Sequence, residues 1–188
     1  PACQRFAGYL TKRPPQRQVT QPVLQSFLDA CNWQNDNLDV FWSGFMLDAK
    51  ARGSLLLLVD MPAEGMATDR TWPAVSAIEP ERVTAYAVNP VGALASVTFT
   101  ATLTLDGKDI AVSRTYDEAG WKVVAGSQIL QQGAHDLGVC PVLAFTDSGL
   151  FPAEGEFATI ADLSQRLYNL RSELDEILRA QTFSLLTY

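Results

Sequence analysis

From Ile160 onward the chain repeats apolar residues in steps of three, four, three, four and three: Ile160, Leu163, Leu167, Leu170, Leu174 and Ile177. A seven-residue repeat of this kind puts all six side chains on one narrow stripe of a helix. No Gly or Pro interrupts the sequence from Glu156 to Tyr188, so a helix of at least about 40 Å is expected at 1.5 Å per residue. A rod of that length either crosses the whole of a small domain or leaves it. The stripe therefore has two readings: the core face of an amphipathic helix, or a seam that packs against a second helix. Thr159 is expected to cap the first turn, with Asp162 as the acidic partner of a capping box. Asp162 with Arg166 and Asp175 with Arg179 are acid-before-base pairs four apart, each contributing about 0.2–0.5 kcal/mol on an exposed face.

Ahead of that helix the apolar pattern changes period twice. Pro22 to Cys31 reads as a helix opened by Pro, with Val23, Leu24, Phe27 and Leu28 inward. The run Asn35-Asp36-Asn37-Leu38 caps a second helix that ends at Gly53, with Leu38, Phe41, Trp42, Phe45 and Met46 as its apolar stripe. Ser54 to Asp60 is a continuous apolar strand, the pattern of a strand covered on both faces. Met61 to Pro73, with two Pro and few periodic apolar residues, reads as a loop. Strand signals then run to about Phe145: Val83–Val88, Ala93–Leu105, Asp109–Tyr116 and Trp121–Ala125. Asp106-Gly107 and Asp117–Gly120 lie at the turns. The fold class is α+β, with N-terminal helices packed on a mainly antiparallel sheet and a long C-terminal helix after it. The domains are a body over 1–156 and the amphipathic helix over 157–188.

Bulk properties exclude several classes. With 188 residues, 47% apolar and 19% charged, the chain has the composition of an ordinary globular domain. Its longest unbroken apolar run, Leu55 to Val59, is far below the roughly 20 residues of a membrane span, so no membrane partner is expected. Cys3, Cys31 and Cys140 are scattered and have no CxxC spacing, which fits reduced thiols, Cys31 and Cys140 buried. A net charge of −7 argues against a surface that grips phosphate. The one basic cluster, Lys12, Arg13 and Arg17, reads as a solvated turn. The chain starts Pro-Ala-Cys and stops in an unbroken helical run, which reads as a piece cut from a longer protein.

No constellation for catalysis stands out, and no enzyme, cofactor or metal is expected. His135 is the only histidine, and its neighbour Asp136 cannot face it well, so a role in the turn is expected. No phosphate-binding glycine motif occurs. Asp60 reads as a strand-end cap. Trp33, Trp42 and Trp121 are expected inward, whereas Trp72, in the loop, is a candidate contact residue.

One resemblance joins these pieces. HDLGVCPVLAF, an acidic and Gly-rich loop, and then IADLSQRLYNLRSELDEILRAQTF resemble the portal proteins of tailed bacteriophages, through His135, Leu137, Gly138, Pro141, Val142, Tyr168, Asn169, Ser172 and Glu173. RFAGYLTKRPP and FLDACNWQNDNLDVFWSGFMLDAKARGSLLLLVDMP are similar to the helix, turn and strand that open the peripheral wing in that family. The resemblance thins between Ala63 and Ala93. It implies a ring of about twelve copies, closed by cyclic symmetry, through which double-stranded DNA passes without sequence-specific binding. It also implies residence at the capsid vertex, assembly in the bacterial cytoplasm, and terminase and head-completion partners that dock on parts beyond Tyr188. Ring contacts would fall on the polar edge of the long helix, at Arg166, Arg171, Glu173 and Arg179. Two rivals stand beside it: a non-viral binding module that zips its Leu stripe onto a partner helix, and an enzyme with the Met61–Pro73 loop as a lid.

Overall fold

Asn37 starts the longer N-terminal helix by accepting a hydrogen bond from the Val40 amide on its side-chain oxygen, at 2.9 Å. That helix, α2 (Leu38–Arg52), follows α1 (Pro22–Asp29) and stops at Gly53, whose φ of 81° few other residues adopt. These coordinates come from a computed structural model that describes residues 5, 8–9, 12–13, 15–62, 69–105, 107–146, 149 and 151–184, with side chains as far as residue 181. The sequence readings on most of residues 1–14, on 63–68 and on 185–188 lie outside the described residues.

After α2 come β1 (Ser54–Asp60), β2 (Ala74–Ile78), a 3-10 turn (Pro80–Arg82) and β3 (Val83–Val88). Then follow β4 (Leu94–Leu105), β5 (Lys108–Asp117), β6 (Gly120–Ala125), β7 (Gln128–Ala134) and β8 (Val142–Thr146). The chain ends in α3 (Ala158–Ser184). The fold is α+β.

The strands form two sheets rather than the single one the sequence suggested. One has the order β2-β1-β8, the other is the meander β3-β4-β5-β6-β7, and every pairing is antiparallel. Leu56, Leu58, Ile78 and Val142 of the small sheet pack against Leu94, Val97, Phe99 and Tyr116 of the meander. On the other face of β1, Leu55 packs with Phe45 and Ala49 of α2. Period-two alternation thus sends Leu56 and Leu58 to one layer and Leu55 to the other, which is why β1 is apolar throughout. The layers are α2, small sheet, meander.

Several expectations are corrected. Val23 and Leu24 on α1 are about half exposed, and only Phe27 and Leu28 turn partly inward. Trp33 and Trp42 keep 40% and 37% of their surface. Trp33 instead lies under the Arg70 guanidinium, and Trp42 stacks on Phe45 at the margin of α2. Trp72, partly buried, donates its indole N–H to the Ala30 carbonyl at 2.8 Å. Thr159 is not the cap of α3, because that helix already begins at Ala158, where the Ala158 amide donates to the Gly155 carbonyl. Cys31 and Cys140 are buried free thiols as expected, and burial pushes both upward in pKa.

Candidate functional site

The root of α3 is fixed to the body by a close backbone contact. A Cβ at Gly155 would lie 2.3 Å from the Ala51 carbonyl oxygen, and one at Gly53 would lie 2.1 Å from the backbone of Glu154. Only glycine permits both approaches. Ser54 Oγ bridges to the backbone of Ala153, and Lys50 Nζ meets Glu156 Oε2 at 3.3 Å. The segment before α3 also packs Phe151 edge-on to Tyr86 of β3, with ring centroids 5.2 Å apart.

Beyond that root the helix is exposed along its described length. Every described residue from Ala158 to Gln181 is exposed. The six stripe residues Ile160, Leu163, Leu167, Leu170, Leu174 and Ile177 are between 55% and 69% exposed. Leu178 and Tyr168 add apolar surface beside them. The core-face reading of the stripe therefore fails for this chain, since the body buries none of it. A helix gains most of its stability from packing its apolar face, and a continuous exposed apolar patch rimmed by charge marks an interaction surface.

The four charged residues proposed as contacts do not share one position. By helical spacing, Arg166 and Glu173 flank the stripe on one side and Arg171 on the other, each about 40–60° from its nearest stripe residues at 100° per residue. Arg179 falls on the opposite side. Arg166 Nη2 holds Asp162 Oδ2 at 2.9 Å along the helix, an exposed pair, worth only a few tenths of a kcal/mol. So Asp162 serves as an ion-pair partner and not as half of a capping box.

Elsewhere the polar groups are structural. Tyr116, 3% exposed, donates its hydroxyl to Asp60 Oδ2 at 3.0 Å, and the Met61 amide donates to Asp60 Oδ1. Asp60 thus ends β1 as expected and also staples the two sheets. Burial first, and then the Asp60 charge, raises the Tyr116 phenol well above its ordinary value, so it stays a donor. The Asp117 carboxylate accepts the Ala119 and Gly120 amides, which turns β5 into β6 and lowers its pKa. His135 donates its backbone amide to Ala119, while both ring nitrogens are buried without a hydrogen-bond partner. Among the described residues no group of three or more His, Cys, Asp or Glu could hold a metal ion.

Sequence reasoning missed Arg70, a buried charge within the segment read as a loop. Its Nη2 donates to the carbonyls of Asn32 at 2.6 Å and Ala30 at 3.0 Å, and to Asn35 Oδ1 at 3.2 Å. Its guanidinium lies over the rings of Trp33 and Trp72, 5.4 and 5.3 Å from their centroids. The clue was the Trp72-Pro73 pair two residues on, an aromatic partner for an arginine. A shallow cleft of about 330 Å³ beside β3, lined by Pro80, Val83, Tyr86, Phe151 and Pro152, carries no carboxylate, imidazole or thiol.

Among the described residues no helix is long and apolar enough to cross a membrane. No protein-family model matches this sequence, and no curated protein matches it.

Proposed function

We propose that this chain is a structural assembly protein, a rigid α+β body that joins other subunits through α3. One observation carries the reading: a three-heptad apolar stripe on a helix fixed at its root and uncovered along its described length. The body needs no help from α3, because its two cores close around β1. Light scattering over a range of concentrations tests this. A mass above that of one chain, lost in Leu170→Glu, is the expected result. A single-chain mass up to the highest soluble concentration would overturn it.

The specific form that the sequence resemblance supports is a portal ring, with α3 as the start of its stem. The order of parts fits: a Gly-Pro turn, β8 with Val142 buried, a loop held to the body, then the long helix. In that form Arg166, Arg171, Glu173 and Arg179 lie at or near neighbouring subunits and set register by charge complementarity. Double-stranded DNA would pass through the ring, and the chain itself would catalyse nothing. Negative-stain electron microscopy of the full-length protein carrying this sequence tests the form. Rings of about a dozen subunits with a central hole are expected from cyclic assembly, and Arg171→Glu with Arg179→Glu should impair them. Compact particles without a hole would leave the assembly reading in its general form, with a partner helix in place of a ring.

A further inference from the structure

We propose that, in this chain, the partner of the α3 stripe is the same stripe of a second copy, running antiparallel. This rests on the assembly reading in its general form, names its partner and orientation, and stands as an alternative to the ring, because cyclic symmetry would run every copy of α3 in the same direction. In heptad terms Ile160, Leu167 and Leu174 occupy position a, and Leu163, Leu170 and Ile177 occupy d. Arg166 and Glu173 then occupy g, and Ser164, Arg171 and Leu178 occupy e. These flanking positions decide orientation, because they meet across the seam.

In a parallel, in-register pair each g residue meets the e residue five places later on the partner. Arg166 would then face the partner's Arg171, twice by symmetry, while Glu173 would face Leu178 and gain nothing. That is like-charge contact along the centre of the seam. In an antiparallel pair g meets g, so Arg166 faces the partner's Glu173, also twice. The same alignment sets Ile160 against the partner's Ile177, Leu163 against its Leu174 and Leu167 against its Leu170. All six stripe residues are used and none overhangs. Arg166 has donors enough to keep Asp162 while reaching Glu173.

The body points the same way. The root of α3 is locked to α2 through Gly155 and Lys50, so the body follows the helix start. A body of about 150 residues has a radius of gyration near 15 Å, whereas paired helices lie about 8–10 Å apart. Parallel pairing would crowd two bodies at one end. Antiparallel pairing separates the two starts of the stripe by about 26 Å, the rise over the 17 residue steps from Ile160 to Ile177 at 1.5 Å each.

Sedimentation equilibrium on the whole chain, with Glu173→Arg and the double variant Arg166→Glu/Glu173→Arg, tests the orientation. The antiparallel pair predicts that Glu173→Arg weakens dimerisation about tenfold, since two attractive exposed pairs become repulsive. The double variant should restore the wild-type dimer constant to within about threefold, because the pairs are re-formed with exchanged signs. Circular dichroism checks that helicity is kept. A Glu173→Arg dimer as tight as wild type, with a double variant tighter than wild type, would mean parallel helices and overturn the orientation while leaving assembly through α3 intact. A wild-type chain that stays monomeric would overturn both.

Discussion

The body and α3 solve the problem of apolar surface in opposite ways. In the body, β1 sends Leu56 and Leu58 into the space between two sheets and Leu55 beneath α2, and these three are at most 4% exposed. In α3 an equally regular apolar pattern is left in solvent. Both segments are amphipathic or apolar by design of their sequence, so hydrophobic content does not separate them. What separates them is connection. β1 is paired on both edges and covered on both faces, whereas the described contacts of α3 with the body lie at its root. An apolar stripe left exposed among the described residues is the observation on which the proposed assembly through α3 rests.

The sharpest way to break this contrast is to truncate one residue on each side of it. Leu56→Ala should cost the body about 2–5 kcal/mol, read by urea or thermal unfolding. Leu170→Ala should leave the unfolding of the body unchanged under dilute, monomeric conditions and weaken association. If Leu170→Ala destabilised the dilute monomer as much as Leu56→Ala, α3 would be part of the core after all.

Arg70 tests whether the body is held by polar anchors as well as by its core. Arg70→Ala removes its charged donor bonds to Ala30, Asn32 and Asn35 and its stacking on two tryptophans. The expected loss is about 3 kcal/mol in chemical denaturation, with a change in tryptophan fluorescence as Trp33 and Trp72 lose their cation. Next, Gly155→Ala should cost about 1–3 kcal/mol by overpacking, since its Cβ would collide with the Ala51 carbonyl. This variant sharpens the comparison because it acts at the described joint between the two regions. Limited proteolysis should then cut before α3 faster than in wild type.

The smallest effect belongs to the staple between the sheets. Tyr116→Phe should cost about 1.5 kcal/mol near neutral pH, the low end of the worth of one hydrogen bond to a carboxylate. Its pH signature is more specific. The folded protein holds the Tyr116 proton more tightly than the unfolded chain does. The contribution is therefore whole below about pH 10, where an unfolded tyrosine begins to ionise, and is lost as pH rises above it. Tyr116→Phe should flatten that part of the stability profile, and an unchanged alkaline slope would remove Tyr116 as its source.

Much of the body was legible along the chain. Asn37 and Gly53 mark the ends of α2, and β1 announced its double cover by its unbroken apolar run. The meander was legible from the turns at Gly107 and Asp117, where local chemistry alone sets the chain direction. The division into two sheets was not. It depends on β8 pairing with β1, as in Leu57 opposite Leu143, and a contact so distant in sequence leaves no periodic trace. Trp33 was misread and Arg70 missed for a related reason, since a cation between two indoles joins segments that are each unremarkable alone. For α3 the repeat gave the stripe directly, but only the structure separates a stripe turned inward from one left open. Its charges at positions 166, 171 and 173 were visible from the start, and their pairing acquires meaning once the stripe is known to be uncovered.

The central claim is that the body folds by itself and that α3 exists to meet another helix. Sedimentation velocity on the wild-type chain and on Leu167→Glu/Leu170→Glu, each with near-ultraviolet circular dichroism, tests it most directly. The account predicts a wild type that associates with rising concentration and a variant that sediments as one chain with an unchanged aromatic spectrum. Wild type and variant with the same single-chain mass, or a variant whose body spectrum collapses, would contradict it.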